Sequence, residues 1–183
     1  MSPLNPESWL LVLPMLSHDP NHVKRVFLSL GSNLGDRLGN IRKALEELTQ
    51  VGVEIKRVSS CYRTEPVDFL AQGWFLNCVA EAETELMPLR LLQTVKLVER
   101  TLGRRPAVAK RPRPIDIDIL LYENVVVRST VLNIPHARLA ERRFVLLPLC
   151  ELAGGLRHPI SKRTMVELLQ ETADRSVVVL YRE

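Results

Sequence analysis

Asp116 and Asp118 alternate with Ile115, Ile117 and Ile119 in the run IDIDILLY (115–122). Side chains two apart on a strand share a face. The pattern therefore predicts a strand that sends its isoleucines to a core and holds both carboxylates together on the other side. Two like charges held that close repel unless a cation lies between them. Hard oxygen donors of this kind suit Mg²⁺, which commonly joins one or two carboxylates to substrate phosphates. An isolated pair of acids on a strand is most often a solvated face; here the preceding segment changes the reading. Arg100, Arg104, Arg105, Lys110, Arg111 and Arg113 fall within fourteen residues that contain no acid. Acids would hold a metal, the metal would hold phosphate, and the arginines would take up the remaining phosphate charge. Arg113 sits between Pro112 and Pro114, which limits its backbone freedom and suits a guanidinium that must be aimed.

A second basic stretch runs from Pro135-His136-Ala137-Arg138 to Arg142-Arg143-Phe144. His136 could bond a phosphate oxygen, although a lone histidine is more often structural. Phe75 and Phe144 could clamp a flat heteroaromatic ring, where ordinary core packing is the plainer role. Asn77, on the strand face of Phe75, offers both a donor and an acceptor for a ring edge.

The elements that must position these groups can be read from periodicity. Val26–Leu30 reads as a buried strand ending in the turn Gly31-Ser32-Asn33-Leu34-Gly35-Asp36. Its glycines permit positive φ, and Asp36 can cap the following helix. Leu38, Ile41, Ala44, Leu45 and Leu48 recur at helical spacing. Residues 51–64 read as one second strand and 74–86 as a third, with Phe75, Asn77 and Val79 on one face and Leu76, Cys78 and Ala80 on the other. Pro88 opens a second helix, with a stripe of Leu89, Leu92, Val95, Leu97 or Val98, and Leu102, and Gly103 stops it. A loop at 104–114 leads to the strand 115–122, then a turn at Glu123-Asn124 into Val125–Val127. Residues 144–152 read as helix, Ser161 as the cap of a helix to Gln170, and 177–181 as a last strand. The order β-α-β-β-α-β predicts an α+β fold: a ferredoxin-like antiparallel sheet with helices on one face, plus C-terminal additions.

The chain has 183 residues, 46% hydrophobic and 25% charged, with a net charge of +4. That composition excludes disordered, collagen-like and coiled-coil classes. A domain this long buries roughly 70% of its unfolded surface and needs no disulfide or zinc staple. Cys61, Cys78 and Cys150 are odd in number and lack CxxC spacing, which predicts reduced thiols in a cytoplasmic protein. No run approaches the roughly 20 apolar residues that span a bilayer. Trp9–Leu16 lacks a basic flank and a small-residue cleavage site and contains Pro14, so it does not read as a targeting signal. His18 and His22 have Pro20 between them, which argues against a metal-binding helix face. Residues 1–24 read as an N-terminal extension of unassigned role, and 25–183 as the domain.

Five stretches carry a family resemblance: LSLGSNLGDR (28–37), SSCYRTEPV (59–67), FLNCVAEAET (75–84), RPRPIDIDILLY (111–122) and NIPHARLAERRFVLLPL (133–149). In this order they resemble the 6-hydroxymethyl-7,8-dihydropterin pyrophosphokinases of folate biosynthesis. The resemblance implies an enzyme that transfers pyrophosphate from ATP to the hydroxymethyl group of the reduced pterin and releases AMP. It implies that Asp116 and Asp118 hold two Mg²⁺ ions along the triphosphate, with Arg104 and Arg113 as catalytic charge stabilisers. Glu99, Ile119, His136 and Arg142 would lie on the nucleotide side. Thr64, Val67, Phe75, Asn77 and Phe144 would meet the pterin. No protein base is implied, because such transfers depend on positioning and charge stabilisation. Partners beyond ATP and pterin are expected to be neither nucleic acid nor membrane; a monomer is expected, with association to other folate enzymes open. The chain departs from the family pattern at Ala109-Lys110-Arg111-Pro112-Arg113, where the family often has an aromatic and a glycine, and at Ala137, where it sometimes has tyrosine.

Two rivals fit less well. An RNA-binding module of the same element order would show aromatic stacking positions in an RNP-like strand, and no such pattern occurs. A nucleotide-sugar transferase using a DxD pair would need a larger α/β domain.

Overall fold

The computed structural model describes residues 23–66, 72–104 and 111–182. Residues 1–22 of the extension, with His18 and His22, lie outside them, as do Val67, Arg105 and Lys110. In chain order the elements are β1 (Lys24–Ser32), α1 (Arg37–Gln50), β2 (Val53–Val58), β3 (Tyr62–Thr64), β4 (Phe75–Thr84), α2 (Pro88–Thr101) and β5 (Asp116–Tyr122). Then come β6 (Val127–Arg128), β7 (Asn133–Ile134), a 3₁₀ turn (Leu139–Glu141), α3 (Arg143–Ala153), α4 (Met165–Glu171) and β8 (Val178–Leu180). The main sheet runs β5-β1-β4-β3-β8, with β2 also on β4, and β6 and β7 form a separate hairpin. Every pairing is antiparallel.

Strand alternation gives the sheet two buried faces. Val26, Leu28 and Leu30 of β1 join Leu76, Cys78, Ala80 and Ala82 of β4 and Ile117 and Ile119 of β5 in one cluster. Ile41, Ala44 and Leu48 of α1 and Leu91, Val95 and Val98 of α2 cover that cluster. Each fully buried Leu, Ile or Val there contributes about 1.5–3 kcal/mol relative to exposure. On the opposite face, Phe27, Val79, Leu120 and Leu121 pack against Val145, Leu146 and Leu149 of α3 and Met165 and Leu168 of α4. The C-terminal additions therefore form a second layer, and they cover only part of that face.

The helix ends match their chemistry. Asp36 accepts a hydrogen bond from the Gly39 amide (3.0 Å), Pro88 is the first residue of α2, and Gly103 turns the chain at φ +88°. On α2 the open choice resolves to Val98, which is buried while Leu97 is exposed. Leu91 takes the core position, and Leu89 faces solvent.

Four expectations change. The span 51–64 is two strands: from Val58 to Tyr62 the chain advances four residues while β4 advances three. The extra residue is accommodated where Ser59 donates its amide to Val79 O and accepts the Val79 amide on its hydroxyl (both 2.9 Å). Val125 and Val126 are exposed, and pairing begins only at Val127. Ser161 caps nothing; the chain turns at Lys162 (φ 61°), and Thr164 with Glu167 forms a capping box at α4. Gly31 lies inside β1 rather than in the turn.

Candidate active site

The strand register assembles the site. Asn77, Gly31 and Asp116 lie side by side across β4, β1 and β5, with Val79, Ser29 and Asp118 in the next row. On the other flank of β4, Tyr62 pairs with Asn77 and Thr64 with Phe75. All these side chains leave the sheet on the face that α3 covers incompletely. The uncovered part is a cleft lined by Ser29, Gly31, Thr64, Glu65, Pro66, Gln72, Phe75, Asn77, Arg113, Asp116, Asp118, Arg142 and Phe144.

One end of the cleft is ionic. Asp116 receives Arg104 Nη1 on Oδ1 (2.5 Å) and Arg113 Nη2 on Oδ2 (2.8 Å). Asp118 Oδ2 stands 4.0 Å from Arg142 Nη1. Burial works to lower the Arg104 pKa, but Asp116 and Glu99 reverse this and raise it above its ordinary value. Arg113 is fixed from the backbone: its amide donates to Asn33 Oδ1 (2.8 Å), and its carbonyl accepts from the Asn33 amide (3.3 Å). Its Nε is buried without a hydrogen-bond partner, a cost that an incoming acceptor would remove.

Glu99 lies beneath this end rather than in the cleft, and is 2% exposed. Its Oε1 accepts from the Ile117 amide (2.7 Å), from Lys96 Nζ (3.0 Å) and from Arg104 Nη1. Burial pushes its pKa up, against Lys96, the Ile117 amide and Arg104. Glu99 thus satisfies an amide on the outer edge of β5 and aims Arg104 at Asp116.

The other end is aromatic and amide-bearing. Asn77 Nδ2 donates to Thr64 Oγ1 (2.7 Å), and both residues are buried. A Cβ on Gly31 would meet Asn77 Oδ1 at 2.4 Å, so the glycine is what lets this amide lie against the sheet. The guanidinium of Arg113 stands over Phe75 (5.5 Å) and that of Arg142 over Phe144 (5.6 Å). Each ring therefore carries one of the cations that serve the ionic end.

His136 does not line the cleft. Its amide donates to Leu120 O and its Nδ1 accepts from the Arg138 amide (3.2 Å). Burial lowers its pKa; Asp118 opposes this, while Arg142 and Arg138 add to it. The Ile119 side chain is in the core under α1 and α2, on the opposite side of the sheet. Val67 lies outside the described residues. Ser29, Glu65, Pro66 and Gln72 also line the cleft, and only strand register and loop closure, such as Asn33 Nδ2 donating to Gln72 Oε1 (3.0 Å), reveal them.

Residues 27–154 match the family model of 7,8-dihydro-6-hydroxymethylpterin-pyrophosphokinase. The chain belongs to this family. It is 42% identical over 146 residues to the 2-amino-4-hydroxy-6-hydroxymethyldihydropteridine pyrophosphokinase of Aquifex aeolicus, covering 80% of this chain and 91% of that protein. It is 38% identical over 171 residues to the folic acid synthesis protein fol1 of Schizosaccharomyces pombe, covering 93% of this chain but 23% of the relative. The chain thus spans about a quarter of that longer protein. Among solved structures, wild-type Plasmodium falciparum HPPK-DHPS with pteroate superposes with a TM-score of 0.69 at 15% identity, covering 82% of this chain and 44% of that one. That likeness concerns the fold.

The family is one of ATP-dependent kinases, which generally use Mg²⁺. Among the described residues no cluster of three or more His, Cys, Asp or Glu is placed to cage a metal. The all-oxygen pair Asp116 and Asp118 on one strand face still fits Mg²⁺, which takes one or two carboxylates and completes its shell with water and phosphate.

Proposed function

We propose that this cleft is where the chain transfers pyrophosphate from ATP to 6-hydroxymethyl-7,8-dihydropterin, with the triphosphate at the Asp116–Asp118 end and the pterin at the Asn77–Phe75–Phe144 end. The observation that carries this reading is that one sheet face, within a chain of this family, brings together the paired acids, three arginines and an amide flanked by two aromatics. The hydroxymethyl oxygen attacks the β-phosphorus in line. The bond between that phosphorus and the α–β bridging oxygen breaks, AMP departs with that oxygen, and the hydroxyl proton passes to water. No side chain in the cleft is needed as a strong base, since positioning and charge stabilisation carry such transfers.

Asp116 and Asp118 would hold two Mg²⁺ ions with the triphosphate; bound there, they would neutralise charge on the bridging and leaving oxygens. Arg104 and Arg113 exchange Asp116 for phosphate oxygens, and Arg142 does the same from Asp118. Neutral His136 holds the loop that leads to Arg142. Glu99 acts through Arg104, and Ile119 contributes core packing behind Asp118. Phe75 and Phe144 stack on the pterin while Asn77 and Thr64, with Val67 three residues further along the sequence, meet its edge.

The four strands β1, β2/β3, β4 and β5 with α1 and α2 fit a ferredoxin-like unit, extended by α3, α4 and β8. The domain spans 25–183 after an extension at 1–24. Among the described residues no helix is long and apolar enough to cross a membrane. Three unbridged thiols fit a cytoplasmic enzyme, and the reading takes it to work as a monomer without nucleic acid. Longer relatives named for folate synthesis favour association with other enzymes of that synthesis. The test is incubation with Mg²⁺, ATP and the reduced pterin, with nucleotides separated by chromatography. AMP in step with pterin diphosphate is expected; ADP, or no turnover by folded protein, would overturn the reading.

A further inference from the structure

The C-terminal segment 172–181 touches both walls of the cleft, and none of it falls within the matched span 27–154. On one wall, α3 begins at Arg143 directly after Arg142, with no side-chain cap of its own and no acid in its first turn. Its first amide, that of Arg143, donates to Asp174 Oδ2 (2.7 Å) from thirty-one residues further along the chain. The other oxygen of Asp174 accepts from the Ser176 amide (2.8 Å). Burial raises the Asp174 pKa, but the Ser176 side chain, with the Ser176 and Arg143 amides, outweighs it and holds the carboxylate below its usual range. A carboxylate at a helix N-terminus also meets the positive end of the macrodipole.

On the other wall, the Val177 amide donates to Glu65 Oε1 (2.7 Å) and the Glu65 amide to Val177 O (3.3 Å). From there β8 pairs with β3, placing Val178 opposite Thr64, and the Tyr181 amide donates to Cys61 O (2.8 Å). Only Arg175 and Ser176 thus separate Asp174, whose bond fixes the start of α3, from Val177, whose bond fixes Glu65. The start of α3 carries Arg142 and Phe144; β3 and Glu65 carry Thr64 and the pterin-side rim.

We infer that the segment Asp174–Leu180 is a strap that sets the width of the pterin end of the cleft, with Asp174 as its positioning residue. The inference rests on the proposed function for the identity of the ligand, while the geometry of the strap stands apart from it. Asp174 touches neither substrate. It acts by holding Phe144 and Arg142 at a fixed distance from Thr64, so its loss loosens the ring clamp more than the phosphate grip. The phosphate grip retains Arg104 and Arg113, which the strap does not touch.

The experiment compares the parent chain, Asp174→Ala and Asp174→Asn for KM of pterin, KM of ATP, kcat, melting temperature and amide exchange at the start of α3. A lost helix cap corresponds to about fivefold in an equilibrium. Asp174→Ala is expected to raise the pterin KM about fivefold, leave the ATP KM within about twofold, and speed exchange of the Arg143 amide. Asp174→Asn keeps an acceptor oxygen and is expected to recover most of the pterin KM. Should Asp174→Ala not fold, Val177→Pro removes the donor to Glu65 and carries the test from the opposite wall, with the same split expected. An unchanged pterin KM, or pterin and ATP constants rising together in step with lost melting temperature, overturns the strap. Absence of turnover in the parent chain instead overturns the proposed function.

Discussion

Replacing Gly31 with alanine tests the amide end of the cleft without altering any group assigned to touch a substrate. The new Cβ would lie 2.4 Å from Asn77 Oδ1 and 3.5 Å from its Cγ. Comfortable contacts between such atoms are about 3.5 Å or more, so the amide must withdraw by about 1 Å. Phe75 Cδ1, at 3.8 Å, need not move. The withdrawal breaks the bond from Asn77 Nδ2 to Thr64 Oγ1 (2.7 Å), whose partners are both buried. Leaving such groups unsatisfied costs about 1–3 kcal/mol. Against this, alanine gains about 1 kcal/mol over glycine within a strand by restricting the unfolded chain. The net is a loss of about 0–2 kcal/mol, or a fall of several degrees at most in melting temperature for a domain of this size. The effect on pterin binding is comparable in size and is confined to one substrate. With the amide displaced, one good hydrogen bond to the ring edge is lost, so the pterin KM should rise about tenfold. The ATP KM should stay within about twofold, because Arg104, Arg113 and the two acids keep their places. Steady-state kinetics with each substrate varied in turn, beside a thermal melt, decide the matter. A pterin KM within twofold of the parent, with the protein folded, would refute the placement of Asn77 at the pterin edge.

Two further outcomes follow from the ionic end. Asp118→Ala should lower turnover by at least about a hundredfold at millimolar Mg²⁺, with melting within a few degrees of the parent because its ion pair with Arg142 is a long one (4.0 Å); near-normal turnover would refute the metal role. Burial lowers the His136 pKa in the folded chain, so the unfolded chain binds the extra proton first, near pH 6.5. Stability should therefore be intact above that pH and fall as the pH drops from about 6.5 through the folded value. His136→Gln should flatten this slope in urea titrations, and an unchanged slope would count against a buried neutral imidazole.

The acids and their strand were legible in the sequence because a period of two leaves few choices: once Ile115, Ile117 and Ile119 are assigned to the core, Asp116 and Asp118 have only one side to face. The same alternation placed Phe75 and Asn77 together. What the sequence concealed depends on partners far along the chain. The split between β2 and β3 hinges on Ser59 exchanging hydrogen bonds with Val79, which no local pattern announces. Thr164 rather than Ser161 caps α4, because the positive φ of Lys162 turns the chain between them. Glu99 carried its resemblance-based place near the nucleotide, but its contacts to the β5 edge and Arg104 required the packed structure. The resemblance put Ile119 on the nucleotide side, while its side chain lies in the core on the opposite face of the sheet.

The ion pairs on Asp116 set a condition for entry. Arg104 and Arg113 neutralise that carboxylate, and Glu99 holds Arg104 from behind. A divalent ion arriving alone would have to displace guanidinium groups that then have no anion to receive them. An ion arriving on ATP brings phosphate oxygens to which the arginines can transfer. On the proposed function, this network makes Asp116 a poor trap for stray metal and a good receptor for a metal–nucleotide pair, so selectivity is built into the ion pairs themselves.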